Sequence, residues 1–182
     1  MERLSQIHAH SDTSKRKSMS SEEIVPLHFR PLATTDRESI FQLLSQLTKA
    51  PLLPQTLFSQ RVKEITCNPD HTILVVEDRL HTTTNNNHLV ASGTLLIERK
   101  LLRDAGLVGH IEDVVVDQKV RGRGIGEKLV KRLMEVAREK GCYKVVLDCS
   151  EENIRFYEKC GLKRKEVQMA KYFWNNEKEI PQ

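Results

Sequence analysis

The spacing of apolar residues changes along the chain. Residues 1–24 show neither a helical nor a strand period and are rich in Ser, Lys and His, the pattern of a flexible tail. A short strand is predicted at 25–31, punctuated by Pro26 and Pro31. Ile40, Leu43, Leu44 and Leu47 then recur at helical spacing, with Thr34 or Thr35 as the expected N-cap. Pro51 and Pro54 end that helix. A second is predicted at 55–66, with Leu57, Phe58, Val62 and Ile65 on its apolar side. The β-branched run at 72–76 and a return strand at 89–98 flank a polar tract, 81–88, that reads as a hairpin loop.

The second half alternates. After a loop at 100–107 comes a strand at 110–116, a glycine-rich turn, and an amphipathic helix at 124–140 carrying Ile125, Leu129, Val130, Leu133, Val136 and Ala137 on one face. Gly141 terminates it. A strand at 143–149, a short helix at 151–160 and a last strand at 162–172 follow. This order predicts an α/β (α+β) domain at 25–174, a central sheet flanked by helices, with a short polar tail at 175–182.

A chain of 182 residues suits one domain that needs no disulfide or metal staple. Cys67, Cys142, Cys149 and Cys160 form no CxxC pair and lack zinc-ligand spacing, so reduced thiols and no metal are expected. No apolar run reaches the roughly 20 residues of a membrane-spanning helix, and residues 1–21 lack the apolar core of a secretory signal. A cytoplasmic location follows, with peripheral association with the endoplasmic reticulum left open. The net charge is only +4, yet residues 119–144 hold nine Lys or Arg against three acidic residues. That patch suits an anionic partner, and nucleic acid and a phosphorylated small molecule both qualify.

Arg121-Gly122-Arg123-Gly124-Ile125-Gly126 lies between the strand and the amphipathic helix. Glycines let several backbone N–H groups face inward at once, and a helix N-terminus adds partial positive charge. The turn therefore fits a pyrophosphate, with Arg121, Arg123 and Lys128 around it. A dinucleotide GxGxxG would need glycine where Glu127 stands, and a Walker loop would end in GKS or GKT rather than Gly126-Glu127-Lys128.

Arg121-x-x-Gly124-x-Gly126 resembles the acyl-CoA pyrophosphate loop of the GNAT superfamily. Three further blocks resemble glucosamine 6-phosphate N-acetyltransferases: residues 109–116 (GHIEDVVV), residues 141–149 (GCYKVVLDC) and Asn153-x-x-Phe156-Tyr157-Glu158-Lys159-Cys160-Gly161. The ending at 168–173 is similar to plant-type members, and with residues 97–100 the resemblance spans about 27–173. It implies the GNAT fold, a mixed and mostly antiparallel sheet with acyl-CoA in a splay between two central strands. It also implies acetyl transfer from acetyl-CoA to the 2-amino group of D-glucosamine 6-phosphate, in one ternary complex and on the route to UDP-N-acetylglucosamine. The family works as homodimers that share C-terminal strands and complete each other's sugar site.

By the same resemblance, Tyr157 protonates the departing thiolate and Asp148 orients the amine. Val114, Val115 and Val116 line the pantetheine arm, and residues Arg121, Gly122, Arg123, Gly124, Ile125, Gly126 and Glu127 with Asn153 hold the rest of the cofactor. Glu112 and Asp113 are charges within an apolar strand, costly unless they meet the substrate. They are expected at the sugar hydroxyls or the ammonium group, with Thr48, Lys100, Arg103, Tyr143, Lys144 and Lys171 at the phosphate. Some relatives carry an arginine in the last strand, where this chain has Lys171 and Tyr172. Two rivals stand beside this reading. One is a GNAT enzyme acting on a protein lysine, a polyamine or an aminoglycoside; the other is a nucleic-acid-binding module, which an aromatic content of 5% disfavours.

Overall fold

The computed structural model describes residues 27–78 and 89–173. Five strands form one mixed sheet in the order β1-β2-β3-β4-β5: β1 (Leu27–Pro31), β2 (His71–Asp78), β3 (Leu89–Arg99), β4 (Leu107–Val116) and β5 (Cys142–Val146). The first four pair antiparallel, and β5 joins β4 in parallel through the crossover helix. Helices α1 (Arg37–Leu44) and α2 (Gln55–Cys67) lie between β1 and β2, α3 (Leu102–Ala105) between β3 and β4, α4 (Ile125–Glu139) between β4 and β5, and α5 (Ile154–Lys159) after β5. The expected tail at 1–24, the hairpin tract at 81–88 and the ending at 175–182 lie outside the described residues.

Side chains of the central strands alternate between two cores, as the pleat requires. Leu74 and Val76 pack with Leu129, Val130, Leu133 and Ala137 of α4, whereas Val75 joins Ile40, Leu43, Phe58 and Val62 of α1 and α2. β4 divides likewise: Val115 turns to the α1–α2 side, and Val114 and Val116 pack toward α4. Leu129 and Leu133 are wholly buried, each worth about 1.5–3 kcal/mol of hydrophobic stabilisation.

Four expectations need correction. The first helix is led not by Thr34 or Thr35 but by Asp36, fully buried, whose Oδ2 accepts from the Ala33 N–H at 2.8 Å. Its carboxylate is gripped in bidentate fashion by Arg30 at 2.6 and 2.8 Å, and Arg30 also reaches Glu77 at 2.6 Å. The charge pair thus outcompetes local capping chemistry. The loop at 100–107 contains a left-handed turn, with Arg103, Asp104 and Ala105 all near φ +55° to +57°. β5 stops at Val146, leaving residues 147–150 outside the sheet. Finally, the predicted last strand is absent: residues 162–173 form no ladder, and Val167, Met169 and Phe173 are at least 85% exposed. A strand needs a partner edge, and none of the described residues supplies one for the segment.

Candidate active site

The site is built where β4 and β5 separate. Their register runs from Leu107↔Cys142 to His110↔Val146 and goes no further. Beyond it, β4 stays paired with β3 on one side only, so its other edge offers backbone N–H and C=O groups from Ile111 onward. A bulge falls in the same stretch: Ser92 faces Val115 and Thr94 faces Glu112, leaving Asp113 and Val114 against Gly93 alone. Asp113 takes φ +51° to accommodate the extra residue. Gly93 leaves room there for Leu133 of α4, whose Cδ1 would lie 2.9 Å from an added Cβ and would have to shift.

At the far end of the opening, the turn into α4 has Gly122 at φ +82° and Gly124 at φ +73°, conformations that strain any residue with a side chain. A Cβ on either would meet no atom within 4 Å, so neither position is packed against. Gly126 serves packing instead: a Cβ there would approach Val116 at 3.1 Å and Phe156 at 3.2 Å. The first N–H groups of α4 have no acceptor one turn back, as at any helix start. Arg121 Nε donates to the Val116 carbonyl at 3.1 Å, tying the turn to the end of β4. Arg123 Nη1 donates to Asp78 Oδ2 at 3.1 Å. Glu127 is engaged by Lys131 at 2.6 Å, so its part in the cradle is confined to its backbone.

Carboxylates gather at the mouth. Burial raises the Glu112 pKa above the ordinary range, and the nearby charges of Asp148 and Asp113 raise it further, against a smaller opposing effect of His110. The structure thus brings together Glu112, Asp113 and Asp148 from β4 and the segment after β5. Glu112 is half-buried, Asp113 and Asp148 are exposed, and Asp148 Oδ2 accepts from Gln168 Nε2 at 2.8 Å. Tyr157 lies half-buried on α5, edge-on to Phe156 with ring centroids 4.9 Å apart. Burial pushes its phenol pKa upward, with smaller contributions from Cys149 and Cys160, so the hydroxyl stays protonated at neutral pH. Asn153 is exposed on the preceding turn and donates from Nδ2 to Ser150 Oγ at 3.0 Å.

A second group forms where β4 and β5 begin. Tyr143 packs against the left-handed turn, its Cδ1 3.0 Å from where a Cβ of Gly106 would lie, and Arg103 borders the same glycine. Lys144 Nζ sits 6.0 Å from the Tyr143 ring centroid. Lys100 Nζ is held by Glu98 at 2.5 Å, and the same carboxylate bonds His110 Nε2 at 3.0 Å. Thr48 is exposed after α1, and Lys171 is exposed in the strandless ending. Sequence reading gave no role to Glu98, His110 or Asp78. Two of these lie in quoted motif blocks, but Asp78 carries no local signal at all.

A β-bulged strand, a splayed neighbour and a glycine turn opening onto a helix N-terminus define an acyltransferase fold, and the Acetyltransferase (GNAT) family profile matches residues 38–162. The chain belongs to the GNAT family of acetyltransferases, in its glucosamine 6-phosphate N-acetyltransferase branch. Glucosamine 6-phosphate N-acetyltransferase 1 of Oryza sativa subsp. japonica is 46% identical over 146 residues, covering 79% of this chain and 86% of that one. The enzyme of the same name from Arabidopsis thaliana is 44% identical, covering 79% and 95%. The crystal structure of the Arabidopsis enzyme superposes with a TM-score of 0.75 over 81% of this chain and 99% of that chain, at 43% identity.

Proposed function

We propose that this protein transfers the acetyl group of acetyl-CoA to the 2-amino group of D-glucosamine 6-phosphate, releasing N-acetyl-D-glucosamine 6-phosphate and CoA. The observation that carries the reading is the divergence of β4 from β5 past His110↔Val146, with the glycine turn at one end and the carboxylates and Tyr157 at the other. The names of the relatives supply the sugar.

The donor fits the chain's own groups. The N–H groups at the start of α4, with Arg121 and Arg123, suit its pyrophosphate, and the free edge of β4 at Val114–Val116 suits its amide-bearing arm. When bound, acetyl-CoA supplies the activated acyl group. The amine arrives protonated, and the cluster of Glu112, Asp113 and Asp148 attracts it and takes its proton. The neutral nitrogen attacks the carbonyl in the ternary complex, and the C–N bond forms as C–S breaks. Tyr157 gives its hydroxyl proton to the departing sulfur, and the nitrogen's second proton passes to solvent, which reprotonates the Tyr157 phenolate. Lys100, Arg103, Tyr143 and Lys144 provide cations and a hydroxyl for the 6-phosphate, with Thr48 and Lys171 as further contacts.

A homodimer completes this reading. Residues 162–173 carry exposed Val167, Met169, Tyr172 and Phe173 and form no strand ladder among the described residues. Exchange of that segment with a second copy would pair its backbone and bring Lys171 to a neighbouring sugar site. The product feeds synthesis of UDP-N-acetylglucosamine. The setting is the cytoplasm, where free thiols such as Cys67, Cys142, Cys149 and Cys160 persist, with any contact with the endoplasmic reticulum peripheral. Among the described residues, no helix is long and apolar enough to cross a membrane.

The test is release of CoA thiol from acetyl-CoA with glucosamine 6-phosphate, glucosamine or a lysine peptide as acceptor. Release dependent on the 6-phosphate supports the proposal. Turnover only with another amine overturns the acceptor and leaves the family intact.

A further inference from the structure

Asp78 is the last residue of β2, and its carboxylate is fully buried beneath the glycine turn. An ionised carboxylate in a low-dielectric setting is costly unless it is paired. Arg123 is among its partners. Arg123 Nη1 donates to Asp78 Oδ2 at 3.1 Å, and its side chain remains 32% exposed. The guanidinium is a planar fork with five N–H groups, so the arginine can be fixed from below and still offer donors outward. Arg123 lies between Gly122 and Gly124, both at positive φ and both without side-chain packing to hold them. Neither glycine contributes packing that would hold the turn in place. The Arg123–Asp78 bridge ties its centre to the sheet, and the Arg121–Val116 bond ties its start to β4.

We infer that Asp78 is a positioning residue for the donor substrate: it locks Arg123, and through it the glycine turn, in the conformation that binds the pyrophosphate of acetyl-CoA. Removing the carboxylate leaves Arg123 its charge, so bulk attraction for the anion is kept or strengthened. What is lost is pre-organisation, and the disorder must then be removed at each binding event. The inference rests on the proposed use of acetyl-CoA as donor but not on the identity of the acceptor.

The experiment is a double-mutant cycle on the full chain with Asp78→Asn, Arg123→Gln and the pair, reading the Kd of CoA by calorimetry and, separately, KM for acetyl-CoA and kcat. Asp78→Asn is isosteric, and its Tm is recorded alongside. The expected result is about tenfold weaker CoA binding and a matching rise in KM for acetyl-CoA, with kcat and the acceptor KM near wild type. In the Arg123→Gln background the same change should have less than about a twofold effect on Kd. Wild-type CoA affinity in Asp78→Asn, an equal effect in both backgrounds, or a lowered Tm without a change in Kd would each overturn the inference. Failure of the wild-type protein to bind CoA would instead sink the donor assignment on which it rests.

Discussion

His110 of β4 stands opposite Val146 of β5, and this is the last pair the two strands share. The proposed site is built on that parting. Up to His110, β4 has neighbours on both sides; after it, one edge is free for a ligand, and the chain leaving β5 carries Asp148 toward Glu112.

Tyr157→Phe tests the proton donor. Phenylalanine preserves the edge-on contact with Phe156 and the half-buried ring, so the fold and CoA binding should be unchanged. Without the hydroxyl, kcat should fall about 10²–10³-fold with little change in either KM. Steady-state kinetics with calorimetry of CoA binding checks this, and an undiminished kcat would remove Tyr157 from the mechanism.

Glu112→Gln should stabilise the ligand-free protein while harming the enzyme. The Glu112 pKa is raised in the folded state, by burial first and then by Asp148 and Asp113, so the folded protein holds its proton more tightly than the unfolded chain. Stability is therefore lost as pH rises from the usual glutamate range through the raised value. The variant should melt higher than wild type at pH 7, and the difference should vanish at a pH below the unfolded-state pKa. KM for the amino sugar should rise about tenfold as the ammonium loses one counter-charge. Melting curves across pH, paired with acceptor kinetics, would expose a purely structural role as lower stability at pH 7.

Gly124→Ala and Gly126→Ala should fail differently. Gly124 has open space but φ +73°, so alanine there costs about 1–2 kcal/mol of local strain and acts mainly on acetyl-CoA affinity. Gly126 has an ordinary φ but meets Val116 and Phe156, so alanine there should cost about 1–3 kcal/mol of stability by overpacking. Denaturant titration beside CoA binding separates the two; identical profiles would contradict the division.

Asp36→Ala probes the fold away from the site. It takes from Arg30 the partner that chiefly raises its pKa, leaving Glu77 at 2.6 Å, and removes the acceptor for the Ala33 N–H. A loss of about 1.5–3 kcal/mol is expected from the lost charge-assisted hydrogen bonds. Equilibrium unfolding in urea measures it, and a loss below about 1 kcal/mol would show the pair to be dispensable.

Deleting residues 166–182 should convert a dimer to a monomer and abolish sugar acetylation while CoA still binds. Sedimentation analysis with calorimetry distinguishes this from general unfolding. A monomeric full-length protein with full activity would defeat the shared-site proposal.

The sequence by itself determined α1, α2, α4, α5 and the glycine turn, because each depends on local rules. The 3.6-residue period of Ile125, Leu129, Val130 and Leu133 is a property of the segment alone, and so is the spacing of Gly122, Gly124 and Gly126. The quoted motif blocks likewise carried the family. Only the tertiary structure decided where charges and edges would meet. Asp36 displaces Thr34 and Thr35 because Arg30 reaches it from another element. Asp113 turns to φ +51° because β4 has one residue more than β3 in the bulge. Residues 162–173 have the composition of a strand, but pairing is supplied by a neighbour and not by the segment. The bond between Arg123 and Asp78, 45 residues apart, had no local trace, since it exists only once β2 passes beneath the turn.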